Sequence, residues 1–537
     1  MKSMKPAREI HHLIAVLLAL VTSAVAWTSV FGAGGAPTQT NGSSVAIEVG
    51  DRKQLFLDHR FIMDAINITL RMNPPAKGGA VMAGKEPWEK GWLAGSATIL
   101  EDKGKYKMWY VSSSPEQDVD QAPLYFCYAE SADGMQWDRP HLGIYEYHGS
   151  RANNILLRVN VESACVFIDP KAPITERYKL LVNLRANQGL PGPEGDGMYI
   201  YVSGDGFNWK LHPVRLLPWA PDTSNQAFYD PIRDRYVIYV RLWNPLRKVG
   251  RIETDDIMKP WPFDHSALPP AGLSPGLASK YPSTQIPTSF SYDEKDPVES
   301  DHYTPTAFRY PYADDAYFAF PSAYYHLPPP PKSRFNNDGP LDIQMAVSRD
   351  GVTYQRVERA PYIGLGLQGS GDEGSIYMLF GFIRHNDEIL QYYHGFNFTH
   401  GAYRGYSPET RRNIGTTFVA RQRLDGFVSA DAPMEGGSFV TPVIVFQGDR
   451  LTLNVNASAL GEVKLELRDE SGAPIQGFQF ADSDPLRQNH LAVMATWNGK
   501  SDVSVLAGKR VRIAFQMRAA KLYAFQFVHA TSPIPTK

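Results

Sequence analysis

The sequence predicts an all-β chain: a five-bladed β-propeller followed by a C-terminal β-sandwich. Three observations predict it. A seven-residue pattern occurs three times, as Ser131-Ala-Asp133-Gly134-Met-Gln-Trp137, Ser203-Gly-Asp205-Gly206-Phe-Asn-Trp209 and Ser348-Arg-Asp350-Gly351-Val-Thr-Tyr354. Its aspartates are 72 and then 145 residues apart, the second interval being close to two of the first. A repeat of this length marks stacked modules such as propeller blades. Helical periodicity is nearly absent, while short alternating strands separated by turn residues run throughout.

The N-terminus comes first. Lys2, Lys5 and Arg8 precede an apolar run, Leu13 to Ala26, that is too short to span a bilayer. Ala24-Val25-Ala26 fits the small-x-small cleavage rule, so residues 1–26 are expected to be a signal peptide and the protein secreted or periplasmic. Residues 27–44, rich in Gly, Ser, Thr and Pro, are expected to be a disordered leader. No other apolar stretch is long enough to cross a membrane.

The propeller is expected over residues 45–410. A charged turn followed by an aromatic or aliphatic strand recurs at Tyr106, Tyr178, Tyr236, Tyr317 and Ile389, at intervals of 72, 58, 81 and 72. The Asp-Gly pairs signal tight hairpins, which need positive φ. Their Ser and Asp side chains are suited to cap turn amides, and the aromatic residue that follows to lie between neighbouring sheets. The repeat therefore reads as scaffold. Residues 325–339 form a Pro-rich loop placed near the pocket mouth. Residues 411–537 alternate as in Leu451-Thr-Leu-Asn-Val-Asn and Val463-Lys-Leu-Glu-Leu-Arg, and suit one β-sandwich.

Composition narrows the function. With 54 basic and 56 acidic residues in 537, no large positive field exists to attract nucleic acid or an anionic membrane. Aromatics are 12% of the chain, which suits both a strand-rich core and stacking on sugar rings. Cys127 and Cys165 are the only cysteines; one disulfide and two separate buried thiols are both open readings. No compact metal-ligand motif appears, so no cofactor is expected, although acids converging in space leave a structural calcium ion open.

The segments that start the innermost strands hold the candidate chemistry. They read Trp88-Glu89-Lys-Gly-Trp92, Val161-Glu162-Ser, Asp222-Thr-Ser-Asn225, Asp301-His302-Tyr303 and Gly371-Asp372-Glu373. Each carries a carboxylate, and glycoside hydrolysis needs two carboxyl groups across the scissile bond. Asp222, Glu373, Asp372 and Asp301 are the catalytic candidates, in that order. Glu162, Glu89, Trp92, Asn225, His302, Tyr303 and Arg241 are the substrate-binding candidates. Arg241, Trp243, Arg247 and Arg251 cluster after the third aromatic strand, and His394 and His400 lie in a Gly-rich aromatic stretch.

The chain resembles the propeller superfamily of glycoside hydrolase families 32 and 43. The residues that carry the resemblance more narrowly, toward secreted family 32-like bacterial proteins, are Gln54-Leu-Phe-Leu-Asp58, Tyr128-Ala-Glu-Ser-Ala-Asp-Gly and Phe228-Tyr-Asp230-Pro. The resemblance implies a carbohydrate substrate and a glycosidase. The invertase motifs Asn-Asp-Pro-Asn, Arg-Asp-Pro and Glu-Cys have no clean copy here; Tyr229-Asp230-Pro231 is the nearest echo of the second. The alternatives are a non-catalytic glycan-binding or scaffold propeller and a sialidase-like enzyme.

Overall fold

A computed structural model describes residues 45–117, 123–159, 164–222, 224–243, 246–264, 285–327, 338–402 and 414–530. The chain divides into residues 1–45 and 46–537, and every described strand belongs to the second unit. The expected signal peptide, the expected leader and Glu162 lie outside the described residues.

The fold is all-β; helix among the described residues is confined to short 3-10 turns. Three sheets are four-stranded, antiparallel and sequential in strand order. The first runs Trp92–Asp102, Lys105–Ser113, Leu124–Ser131, Ile155–Val159. The second runs Ala164–Ile168, Tyr178–Leu184, Gly197–Ser203, Lys210–Leu211. The third runs Gln226–Asp230, Arg235–Trp243, Arg247–Thr254, Thr288–Phe290.

The next stretch is split. Ala307–Arg309, Tyr317–Ala319 and Ala346–Ser348 form a three-stranded sheet. Ser300–His302, Ser322–Tyr325 and Leu341–Ile343 join the last sheet through a single parallel pairing, Leu341 with Ser375. That last sheet continues through Ser375–Met378, Glu388–Phe396 and Thr416–Arg423. It ends on the early strand Ala76–Ala83, which brings the two ends of this region together.

The repeated pattern explains how sheets pack. In each copy the Ser Oγ accepts the Gly N–H, at 2.8–2.9 Å, and the Asp carboxylate accepts two further amides. The Gly carbonyl then takes a bond from an aromatic residue of another sheet. Trp109 Nε1 donates to Gly206 O at 2.8 Å, Tyr239 OH to Gly351 O at 2.6 Å and Tyr392 OH to Gly134 O at 2.8 Å. The closing aromatic of each copy meets the same neighbouring sheet: Trp209 on Phe126, Tyr354 on Tyr239, Trp137 on Tyr392. The second sheet thus leans on the first, and the first leans on the last. Gly206 has φ +83°, and a Cβ there would lie 2.8 Å from the Trp109 ring, so the turn and the docking both require glycine.

Two six-stranded sheets make the sandwich. Its core stacks Phe446 on Phe527 and Phe439 on Phe515, with Phe56 and Phe61 wedged against Phe525. Strand pairing draws the boundaries differently from the expected 45–410 and 411–537. Ile47–Gly50, Gln54–Leu55, Met63–Ile66 and Thr69–Met72 all pair with sandwich strands, whereas Thr416–Arg423 belongs to the sheet closed by Ala76–Ala83. These pairings bridge more than 300 residues of chain, and no local pattern announces them.

Cys127 and Cys165 are separate buried thiols. Cys127 lies 3.4 Å from Ser112 Oγ and Cys165 faces the Ala227 carbonyl at 3.7 Å. Burial pushes the Cys165 thiol up to about 12 and Cys127 higher still, so both stay protonated.

Candidate active site

Two buried arginines organise the site. Arg241 lies near the end of one strand of the third sheet, and Arg247 begins the strand hydrogen-bonded to it. Arg241 Nη1 donates to Asp222 Oδ2 at 2.7 Å, and its Nη2 donates to the Tyr303 carbonyl. The Arg241 N–H bonds Asn225 Oδ1 at 3.1 Å, while Asn225 Nδ2 donates to the Asp222 carbonyl at 2.8 Å. Asn225 therefore holds the segment that presents Asp222. Arg247 Nη1 donates to Asp301 Oδ2 at 2.8 Å, and His326 Nε2 lies 3.3 Å from the same oxygen.

Tyr303 sits between the pairs. Its ring lies 4.0 Å from the Arg241 guanidinium carbon and 5.1 Å from that of Arg247. Such contacts hold a planar cation in place once it is shielded from water. Trp243 covers Arg247 at 4.1 Å. An aromatic chain extends the site to the first sheet: Tyr303 to Tyr377 at 6.0 Å, Tyr377 to Phe396 at 5.7 Å, Phe396 to Trp92 at 5.5 Å. His400 packs on Tyr303 at 4.5 Å and bonds the Tyr377 hydroxyl at 2.8 Å through Nδ1.

The electrostatics separate the two carboxylates. Burial works to raise the Asp301 carboxyl, but the His326 hydrogen bond and the Arg247 charge outweigh it and hold the group below its ordinary value. Its side chain is 1% exposed, against 17% for Asp222. Asp222 is thus the carboxylate that solvent or a ligand reaches. Burial raises the phenols of Tyr303 and Tyr324, so neither is poised as a phenolate nucleophile. Asp301 Oδ1, Arg247 Nε and the Tyr324 hydroxyl are buried without a hydrogen-bond partner among the described residues. Buried polar atoms are nearly always paired, so atoms left over at one place are ones a ligand or water would satisfy.

Of the residues singled out in the sequence, Asp222, Asn225, Arg241, Asp301, Tyr303 and Trp92 are brought to this site. The others are not. Asp372 is buried against the far closure strand, where Lys77 Nζ binds it at 2.7 Å and the Tyr393 hydroxyl at 2.9 Å. Glu373 spends its two oxygens on the amides of Gly369 and Gly371 in its own loop. Glu89 is 0% exposed and is consumed by Arg139, the Tyr110 hydroxyl and the amides of Lys85 and Glu86. His302 points to the other sheet face and stacks on Phe290 at 4.6 Å; burial pushes its imidazole down to about 4. Arg251 pairs with Glu253 at 2.6 Å, and His394 is buried beside Thr417.

Sequence reasoning missed His326, Tyr324 and Tyr377. The strand pairing Asp301 with Tyr324 is what delivers the first two, and only a correct register would have found them. It also missed Asp342, whose carboxyl burial pushes up to about 6 against hydrogen bonds from Gln344 and Tyr325. Asp342 pairs with Ala323, which pairs in turn with His302, on the sheet face away from Asp301, so it is not part of this site. Among the described residues no group of three or more His, Cys, Asp or Glu is arranged to hold a metal ion.

No family model and no curated protein sequence matches this chain. Its structural neighbours include glycoside hydrolases and related enzymes. An N-acetylgalactosamine deacetylase from F. plautii, solved with blood group B trisaccharide, is 13% identical and aligns over 67% of this chain and 96% of its own, with a TM-score of 0.43. A protein described as a glycoside hydrolase is 12% identical over 66% and 93%, with a TM-score of 0.42. A thermostable family-43 glycoside hydrolase is 11% identical over 64% and 95%, with a TM-score of 0.39. Likenesses of this size assign no chemistry to this chain.

Proposed function

We propose that this chain is a secreted glycoside hydrolase and that its sheets are the five blades of a propeller. In this reading the blades span 92–159, 164–211, 226–290, 300–348 and 375–423, with Ala76–Ala83 closing the ring. One observation carries the reading: two arginine-held carboxylates, Asp222 and Asp301, converge on Tyr303 beside buried polar atoms that have no partner among the described residues. A sugar meets such a place with hydroxyls for the polar atoms and an apolar ring face for the aromatics.

The roles follow from exposure and charge. Asp301 stays ionised and is suited to stabilise positive charge developing on the sugar ring. Asp222, the more accessible carboxylate, is suited to attack the anomeric carbon or to activate a water. Arg241 and Arg247 fix both carboxylates and keep the site near neutrality. Trp92 and Tyr377 would line the path of further sugar units.

A second reading is a glycan-binding propeller without catalysis. It is favoured by the two ion pairs themselves, because neither Asp222 nor Asp301 is placed to remain protonated as an acid. Purified chain screened against a panel of polysaccharides and aryl glycosides separates the readings. Sugar release that collapses in Asp222→Asn and Asp301→Asn supports the hydrolase. Glycan retention without release moves the assignment to binding.

A further inference from the structure

A cleft of about 540 Å³ lies where one hairpin of the last propeller sheet meets the sandwich. Arg384 and Glu388 flank that hairpin, Arg423 ends the next strand, and Asn489 to Ala492 come from a sandwich strand. The hairpin joins the ends of its strands opposite those that start at Ser375, so the cleft is remote from Tyr303.

The charge in this cleft is not balanced locally. Arg423 donates four hydrogen bonds, all to neutral acceptors: two to Asn454 Oδ1, at 2.7 and 3.0 Å, one to Asn489 Oδ1 at 2.5 Å, one to the His490 carbonyl at 2.7 Å. No carboxylate of the described residues bonds it. Burial pulls its guanidinium below the ordinary arginine value, as for a cation lacking a close counter-ion. Arg384 is tied by Nε to the Asn386 carbonyl at 3.1 Å and lies over Tyr312 at 6.0 Å. Its two terminal nitrogens have no acceptor among the described residues. Lys53 is neutralised by Asp425, and Glu388 by Arg421, each at 2.7 Å. Two guanidiniums are then left facing one carboxylate, the exposed Asp387.

A guanidinium fork that is held by its Nε and open at its tips matches a planar carboxylate in bidentate fashion. Leu424, Leu491 and Ala492 supply an apolar floor, and the volume suits a ligand of disaccharide size. We propose that this cleft is a second binding site, for a carboxylate-bearing saccharide such as a uronic-acid oligomer. The anion half of the proposal rests on the cleft alone; the saccharide half rests on the glycan reading above.

Calorimetric titration of the full chain tests it, with digalacturonate, a neutral digalactoside and sodium sulfate as probes. Digalacturonate is expected to bind, to weaken as salt rises, and to lose at least about tenfold in affinity in Arg384→Gln, since a hydrogen bond to a charged group contributes about 1.5–3 kcal/mol. The Arg384→Gln unfolding midpoint should match wild type, because the lost tips have no protein partner among the described residues. Asp222→Asn should bind digalacturonate as wild type does, which keeps the test independent of hydrolysis at Tyr303. Equal affinity for the neutral digalactoside, displacement by equimolar sulfate, unchanged binding in Arg384→Gln, or loss of binding in Asp222→Asn would each overturn the proposal.

Discussion

The starts of the fourth and fifth stretches of sheet look alike in sequence and behave differently in the structure. Asp301-His302-Tyr303 and Gly371-Asp372-Glu373 both place acids just ahead of an inner strand. Asp301 meets an arginine that is itself stacked on Tyr303 and Trp243, and keeps one oxygen without a partner among the described residues. Asp372 meets Lys77 from the closure strand, with Ser370 and Tyr393 completing its bonds. The first arrangement leaves capacity for a ligand; the second uses it to fasten the sheet. An acid at the right register is therefore a candidate only, and the partner that reaches it decides its use.

Replacing the acids in turn separates the two places by the widest margin. On a glycan that the wild type cleaves, Asp301→Asn and Asp222→Asn should lower turnover roughly 100- to 10,000-fold, the range for removing a catalytic group. Glu373→Gln should stay within about threefold of wild type in the same assay. Equal losses at Glu373 and Asp301 would erase the distinction.

Stability should show the opposite ranking. Lys77→Met leaves a buried carboxylate with hydroxyl donors alone, and should cost about 1–3 kcal/mol in urea unfolding. Turnover of the molecules that remain folded should be unchanged. Gly206→Ala probes the inter-sheet docking in the same way. Positive φ and the approach to Trp109 should together cost about 1–3 kcal/mol, again without changing turnover.

A pH dependence with two opposing parts should be the weakest signal. His302 has a folded pKa near 4, below its ordinary 6.5, so its contribution to stability is present above 6.5 and is lost as pH falls toward 4. Asp342 is raised from 3.8 to about 6, so its contribution is present below 3.8 and is lost as pH rises through 6. Between pH 4 and 6 the two slopes partly cancel. Denaturant midpoints across this range should rise more steeply with pH in Asp342→Asn, and less steeply in His302→Gln, than in wild type.

What the sequence showed and what it hid divide along chain distance. The Ser-x-Asp-Gly turns were legible because their bonds close within three residues, and all three copies form the expected capped turn. The sandwich core was legible from alternation. The strands from Ile47 to Met72 were assigned to the wrong sheets, because their partners lie more than 300 residues away. Within the site, Asp222 with Asn225 and Arg241 was readable as a cluster. The preference for Glu373 over Asp301 was not resolvable, since Arg247, His326 and Lys77 reach these acids only through the folded pairing of distant strands. Asp342 carries no local signal at all; its environment is made by Tyr325 and Gln344 once the strands align.

A crystal structure of Asp222→Asn soaked with a glycan that the wild type cleaves would decide whether Asp222, Asp301 and Tyr303 form the active site. The expected result is a sugar ring held between residue 222 and Asp301, packed on Tyr303 or Tyr377, with hydroxyls on Arg247 Nε and the Tyr324 hydroxyl. A sugar bound at Asp372 and Glu373, with the space about Tyr303 left to water, would contradict it.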